Sequence, residues 1–325
     1  MKICYISCST IFGGVENIII KTLNALCLKH EVALVVPKGC EYTYKLNCQI
    51  KVYEYKSFDK RYNPFLYLEI YKIVSKYDLI HTHGAKASQI FYIINKFINK
   101  KFVATKHNIR KGKIFNKIQN VISVSKEVAN TIGQKSKVLY FGIEKVDIQP
   151  KKLTEKFSIV AIGRLDYIKG FDELIKASSK LNFDFRLFII GRGKEENNLK
   201  QLITDLELND KVTILGFRTD ILEILKGANL QVISSRSEGL PNTLIEGIFY
   251  SNVLIATRVG GISEVLNSKF LFSPNKEDCA KKIIEVKENY DKFNKEFALF
   301  VNNERHKFSF SSYLNNLLNY YENLK

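Results

Sequence analysis

SSRSEGLPNTLIEGI, residues 234–248, is the stretch on which the reading of the whole chain turns. It follows an apolar run, ANLQVI (228–233), that reads as a buried strand, and it carries two glutamates, Glu238 and Glu246, with Gly239 and Pro241 between them. One helix through the segment would return both carboxylates to roughly one face after a little over two turns. Gly239 and Pro241 oppose that. Proline suits the first turn of a helix, where its missing N–H would have no partner anyway. The pattern therefore predicts a strand, a loop holding Glu238, and a helix that begins near Pro241 with Glu246 about a turn and a half inside. The free amides of such a helix N-terminus favour an anion, and two carboxylates beside them accept hydrogen bonds from hydroxyl groups. A phosphate joined to a sugar would use both. A capped helix with two surface glutamates is the plainer reading of this segment taken alone.

Short β-branched and aromatic runs alternate with helix-length segments on both sides of the stretch, the pattern of parallel sheets covered by helices. The same half holds FSIVAIGRL (157–165), FRLFIIG (185–191), KVTILG (211–216), NVLIAT (252–257) and KFLFS (269–273). The first half holds KICYISC (2–8), EVALVV (31–36), IKVYEY (50–55), DLIHTH (78–83), KFVATKH (101–107), NVISVS (120–125) and KVLYF (137–141). Between the two sets lies GIEKVDIQPKKLTEK (142–156), charged and proline-containing, the natural linker between domains. FSSYLNNLLNYYENLK (310–325) ends the chain with helical spacing and no strand after it. A chain of 325 residues is long for one core, so two domains are expected.

With 46% hydrophobic and 26% charged residues the composition is that of a soluble globular protein, and no apolar run approaches the roughly 20 residues of a membrane span. The opening MKICYISCST turns polar too soon for a signal peptide, so a cytoplasmic location is expected. Six cysteines without a CxxC pair suggest small buried thiols, not a metal site or a disulfide framework. The net charge of +17 is uneven: residues 1–150 hold 24 Lys+Arg against 10 Asp+Glu, a net of +14, which leaves +3 for the rest. It is densest over 79–126, where ten basic residues, Lys100, Lys101, Arg110, Lys111 and Lys113 among them, occur with no acidic one. Such a run suits an anionic membrane surface or nucleic acid, or is simply a solvated face.

Ligands of open parallel sheets bind beyond the carboxyl ends of the strands, and the unusual residues of this chain fall there. IFGGVEN follows the first strand, with Gly13 and Gly14 allowing close approach of the backbone. DLIHTHG ends the fourth with His81 and His83 on one side, His83 nearer the tip, and ATKHN delivers His107 in the same manner. AIGRLDYIKGFDELI places Arg164 and Lys169 before a helix-like segment, a cationic site for a diphosphate. Neither a Walker pattern nor an Asp-x-Asp metal pair occurs at these turns, so the positive charge must come from the protein.

Taken in order, GGVE (13–16), DLIHTHG (78–84), ATKHN, VISVSKEV, GRLDYIKG, IIGRG, LGF and SEGLPNTLIEG make a chain that resembles the retaining family 4 glycosyltransferases of the GT-B fold, the glycosyl transferases group 1. The resemblance implies an α/β protein of two facing Rossmann-like domains with parallel sheets and a C-terminal crossover helix. Residues 1–148, joined by the helix 309–325, would bind the acceptor, and 149–308 the nucleotide sugar. Arg164 and Lys169 would hold the donor diphosphate and stabilise the leaving group. Glu246 would accept from the ribose hydroxyls and Glu238 from those of the transferred sugar, with His83 beside that sugar. Backbone amides of Gly14 and of Leu240, Pro241, Asn242 and Thr243 as a group, proline contributing no N–H, would meet phosphate or sugar. Gly191, Gly193 and Phe217 would line the base and ribose pocket. No cofactor or metal is implied beyond a nucleotide-sugar co-substrate. Where the family has Asn-Gly at the linker this chain has Phe141 and Gly142, so no asparagine role carries over.

With no Asp or Glu in HTHGAKAS to act as nucleophile, a front-face retaining mechanism is favoured over a covalent intermediate. The acceptor expected is a glycan or a lipid-linked saccharide, reached from the inner face of the cell membrane. Two rivals are a sugar-nucleotide epimerase or phosphorylase on the same fold, which SEGLPNTLIEG fits poorly, and a nucleic-acid-binding protein, for which no module signature is present.

Overall fold

The computed structural model describes residues 1–57, 60 and 62–324. Each apolar run becomes a strand. In the first half these are β1 (Lys2–Ser7), β2 (Glu31–Pro37), β3 (Lys51–Tyr55), β4 (Leu79–His83), β5 (Lys101–Lys106), β6 (Asn120–Ser123) and β7 (Lys137–Val138). They form one parallel sheet in the order β3-β2-β1-β4-β5-β6-β7. The second half supplies β8 (Phe157–Ile162), β9 (Phe185–Ile190), β10 (Val212–Gly216), β11 (Leu230–Ile233), β12 (Leu254–Thr257) and β13 (Leu271–Phe272). These too are all parallel, in the order β10-β9-β8-β11-β12-β13. Each sheet starts at an inner strand, builds to one edge, then returns to lay strands on the other side. The reversal falls between β1 and β4 in the first sheet and between β8 and β11 in the second. Such a switch point opens a crevice beyond the carboxyl ends of its two strands.

The first sheet is buried on both faces, which is why its central strands read as continuous apolar runs. Cys4 and Ile6 of β1, with Ala33, Val35 and Ile80, pack against Leu66, Ile70 and Val74 of the helix Pro64–Val74 and Ala87, Ile90 and Ile94 of the helix Gly84–Ile98. Spacings of three and four residues keep each helical set on one face, and burying a side chain such as Leu66 or Ile70 stabilises by about 1.5–3 kcal/mol. Asn63 starts the first of these helices by accepting from Phe65 N at 3.2 Å, with Pro64 at its first position. Tyr5, His81 and Thr105 alternate to the opposite face.

The chain divides into two compact units, Met1–Phe141 with Tyr313–Lys325, and Gly142–Ser312. The division precedes the expected boundary at 148 because the start of the linker is held by the second unit. Ile143 N donates to Phe308 O at 3.0 Å and Phe310 N to Ile143 O at 3.0 Å. A Cβ on Gly142 would lie 2.2 Å from Ser309 O, so the Gly of the Phe141-Gly142 pair is required by that contact. The last helix is Phe310–Glu322, and its residues from Tyr313 belong to the first unit. Cys4, Cys40 and Cys279 are buried, whereas Cys48, in the loop before β3, is exposed and departs from the expected buried thiols.

Candidate active site

In the second unit the loops after β8 and β11 flank the switch point and are tied to each other. Lys169 ends a short 3-10 turn, Tyr167–Lys169, and its Nζ lies 2.6 Å from Oε1 of Glu238. The two side chains are only 20% and 12% exposed, so the pair is shielded and neither charge stands alone. Ser235 Oγ donates to the same carboxylate oxygen at 2.6 Å. Ser234 Oγ donates to Lys169 O at 3.0 Å and Arg236 N to Ile168 O at 2.8 Å. Gly170 follows with φ +65°, and a Cβ there would stand 2.1 Å from Ser234 O. Only glycine can take that backbone at that distance.

Arg164 leaves β8 after Gly163, and its exposed guanidinium is paired with Asp166. The helix predicted near Pro241 spans Asn242–Tyr250, with Pro241 as its cap residue and Glu246, half-buried, inside. Leu240 and Pro241 are buried, Asn242 and Thr243 half-buried, and Thr243 O accepts from Gln231 Nε2 at 2.8 Å. Gly191 and Gly193 sit where their Cβ atoms would meet Gly163 O at 1.9 Å and Leu165 O at 2.4 Å. Their place in this structure is thus to let the loop after β9 lie on the backbone that carries Arg164. Phe217 follows β10 and is 56% exposed.

Two contributors escaped the sequence reading. Arg236 donates to both carboxylate oxygens of Asp172 at 2.7 and 2.8 Å and lies 4.1 Å above the Tyr167 ring, pinning the Glu238 loop to the loop of Lys169. Burial pushes the Asp172 carboxyl up, but Arg236 and Lys176 outweigh it and hold it below its ordinary range. Gly260, in the loop after β12, would place a Cβ 1.8 Å from Glu238 O, and Gly261 N donates to Gly239 O at 3.0 Å. The signal for the first was a basic residue between two strand-end serines, and for the second a Gly-Gly pair after a strand.

The first unit has a different chemistry at its switch point. The helix Gly14–Leu26 starts right after the β1 loop, capped by Gly13 in extended backbone. His83 at the tip of β4 is 6% exposed. It stacks on His81, ring centroids 4.5 Å apart, and on His107, at 5.2 Å. Its Nδ1 lies 3.0 Å from His107 Nε2. His81 is held at both nitrogens, Nδ1 by Tyr321 OH at 2.5 Å and Nε2 by Thr105 Oγ1 at 2.6 Å. Burial lowers all three histidines, His81 to about 3, His107 to about 4 and His83 well below 6.5, with neighbouring imidazoles adding to the effect on His81 and His83. They are neutral at pH 7.

Of the basic residues, Lys101, Arg110, Lys111 and Lys113 are exposed and Lys100 half-buried, and Lys101 Nζ donates to Leu324 O at 3.1 Å. Lys106, from the same basic run, is buried against Thr131 and the Phe115 ring and takes no part in a charged face. No helix among the described residues is long and apolar enough to cross a membrane.

The profile of the family described as "Glycosyl transferases group 1" matches residues 143–306, and the chain belongs to that family. It is a glycosyltransferase. Among its relatives is the N-acetylgalactosamine-N,N'-diacetylbacillosaminyl-diphospho-undecaprenol 4-alpha-N-acetylgalactosaminyltransferase of Campylobacter jejuni, 26% identical over 75% of this chain and 77% of the relative. A second is the Campylobacter jejuni GalNAc-alpha-(1->4)-GalNAc-alpha-(1->3)-diNAcBac-PP-undecaprenol alpha-1,4-N-acetyl-D-galactosaminyltransferase, 23% identical over 94% of this chain and 93% of its own. Among solved structures, Anabaena HepE in complex with UDP-glucose aligns over 100% of both chains with a TM-score of 0.89 and 20% identity. The fold is the GT-B class expected from the sequence, with two Rossmann-like parallel-sheet domains.

Proposed function

We propose that the protein transfers a sugar from a UDP-sugar, with retention and without a metal, to a hydroxyl of a lipid-linked saccharide or glycan during cell-surface polysaccharide assembly. The observation that carries this reading is the shielded Lys169–Glu238 pair beside the helix N-terminus at Asn242, at the switch point of the second sheet. A cation, a carboxylate able to accept from hydroxyls and the amides of a helix that begins four residues further on are the groups that a sugar diphosphate needs, which supports this reading. The two Campylobacter relatives are named for transfer to undecaprenol-diphosphate-linked sugars, and the Anabaena structure holds UDP-glucose, which favours this donor and acceptor class. In this reading Arg164 and Lys169 neutralise the departing diphosphate, Glu246 takes the ribose and Glu238 the sugar. The donor phosphate oxygen receives the proton of the attacking hydroxyl. A thermal-shift panel of UDP, GDP and ADP sugars in EDTA tests it: a rise with UDP sugars alone is expected, and no rise with any of them would overturn it.

A membrane-facing acceptor domain belongs to the same proposal. Tyr62, Phe65, Leu68 and Tyr71 at and along the helix Pro64–Val74, and Ile93 and Phe97 on the helix Gly84–Ile98, are 37–82% exposed. Both helices cover the same side of the sheet. Aromatic and aliphatic side chains exposed on the half that carries +14 suit the anionic inner leaflet of a cell membrane.

A further inference from the structure

His83 Nε2 is a buried nitrogen with no hydrogen-bond partner; among the described residues only His30 Nδ1 shares that condition. It stands at the end of β4, beside the switch point, on a side chain 94% removed from solvent by its 6% exposure. Such an atom costs stability unless something occupies it, whereas both nitrogens of His81, Nδ1 of His83 and Nε2 of His107 are engaged. We infer that His107 and Tyr321 are positioning residues, which fix His83 as one neutral tautomer with Nε2 offered to the ligand. The inference rests on the glycosyltransferase reading for what that ligand is, a sugar hydroxyl, and on geometry alone for the rest.

Two facing imidazole nitrogens, such as His83 Nδ1 and His107 Nε2 at 3.0 Å, bond only when one of them carries a proton and the other does not. In a neutral pair that choice dictates what His83 Nε2 carries. If His107 donates, Nε2 of His83 bears the proton; if His107 accepts, Nε2 is a lone pair. The contact with His107 therefore couples the two tautomers, so that the state of His83 Nε2 follows that of His107. The ring below is fixed in turn. His81, stacked on His83, is clamped between Tyr321 OH and Thr105 Oγ1, and Tyr321 OH also meets Tyr5 OH at 2.6 Å. Tyr5 lies edge-on to His81 at 4.7 Å and tilted against His83 at 5.0 Å. None of these partners is a carboxylate, so nothing in the stack stabilises an imidazolium. The groups packed around it are Tyr5, Thr105 and Tyr321, with Tyr313 near Tyr5 and Tyr321, all uncharged at pH 7.

The test has two arms. In nitrogen-15 spectra of the histidine rings, His83 should show a single neutral tautomer from pH 5 to 8. His107→Leu should yield a mixture of tautomers or a ring that titrates in that range. His107→Gln, which keeps a neutral donor and acceptor, should restore one state of the ring. Two tautomers in the wild type, or a His83 signal unmoved by His107→Leu, would overturn the inference. In kinetics, His107→Leu and Tyr321→Phe should lower kcat by about 10-fold or more with KM little changed, as expected when a reacting group is misplaced. His107→Gln should recover much of that loss. A lowered Tm with unchanged kcat would mean a purely structural role and reject it. The spectroscopic arm needs no substrate, so it decides the tautomer question even if the UDP-sugar reading fails.

Discussion

The two sheets reverse direction at equivalent points, yet the crevices they open are chemically opposite. In the second unit the loops after β8 and β11 are charged, and each cation comes with its own carboxylate: Lys169 with Glu238, Arg164 with Asp166, Arg236 with Asp172. In the first unit the switch point carries the stack of His81, His83 and His107 with Tyr5, Thr105 and Tyr321, buried and uncharged, while the charged Lys106 at the end of β5 is buried against Thr131 and Phe115, and Glu16 is buried in the first turn after the β1 loop. The difference teaches how one fold can divide labour. A crevice of paired charges can exchange a carboxylate partner for a phosphate at small net cost, because the desolvation of the cation is already met. A crevice of neutral groups suits hydroxyls and keeps ionic partners out.

The largest expected effect breaks the charged side. Lys169→Ala or Arg164→Ala should lower kcat/KM by about 10²-fold or more, the scale of losing one donor that stabilises transition-state charge. Lys169→Ala should be the more severe, since its ammonium is shielded while the guanidinium of Arg164 is largely exposed. Steady-state rates in EDTA measure both, and activity that vanishes with EDTA and returns with magnesium would contradict the metal-free account.

An intermediate effect probes the neutral side. His81, with a folded value of about 3, and His107, of about 4, lie below the ordinary 6.5, so the unfolded chain binds protons first as pH falls. The two histidines cost nothing above about pH 6.5, and stability is lost as pH falls from there to about 4 for His107 and about 3 for His81, on the order of 1 kcal/mol per histidine per pH unit within those windows. Tm should fall over the range, and His81→Gln should flatten the fall. An unchanged slope in the variant would show that other groups govern the acid limb.

The effect that is smallest per residue concerns the membrane. Lys100, Lys101, Arg110, Lys111 and Lys113 changed together to Gln should weaken sedimentation with phosphatidylglycerol vesicles at low salt, by on the order of 1 kcal/mol per residue close to the surface. Phe65, Leu68 and Phe97 changed to Ser should instead remove whatever binding survives high salt. Recovery of wild type in the supernatant at every salt concentration would leave the charge as a solvated face.

Much of this was legible because local rules dominate at strand ends. The helix start at Asn242, Glu238 in the loop, Arg164 just past β8, and His81 and His83 on one side of β4 follow from proline, glycine and the two-residue period alone. The partners were not legible. Tyr321 meets His81 across 240 positions, and Lys169 meets Glu238 across 69. No spacing rule spans such distances; they depend on how the sheets order their strands. The expected pocket roles of Gly191 and Gly193 missed their contact with Gly163 and Leu165 for the same reason.

In the proposed function the second unit binds the nucleotide through Glu246 and the sugar through Glu238. Calorimetric titration of UDP in EDTA into wild type, Glu246→Ala and Glu238→Ala tests it most directly. The wild type should bind, Glu246→Ala should lose about 10-fold or more, as for a missing charged hydrogen bond, and Glu238→Ala should bind as well or more tightly because Lys169 is released. Equal losses in the two variants, or no binding of UDP by the wild type, would contradict it.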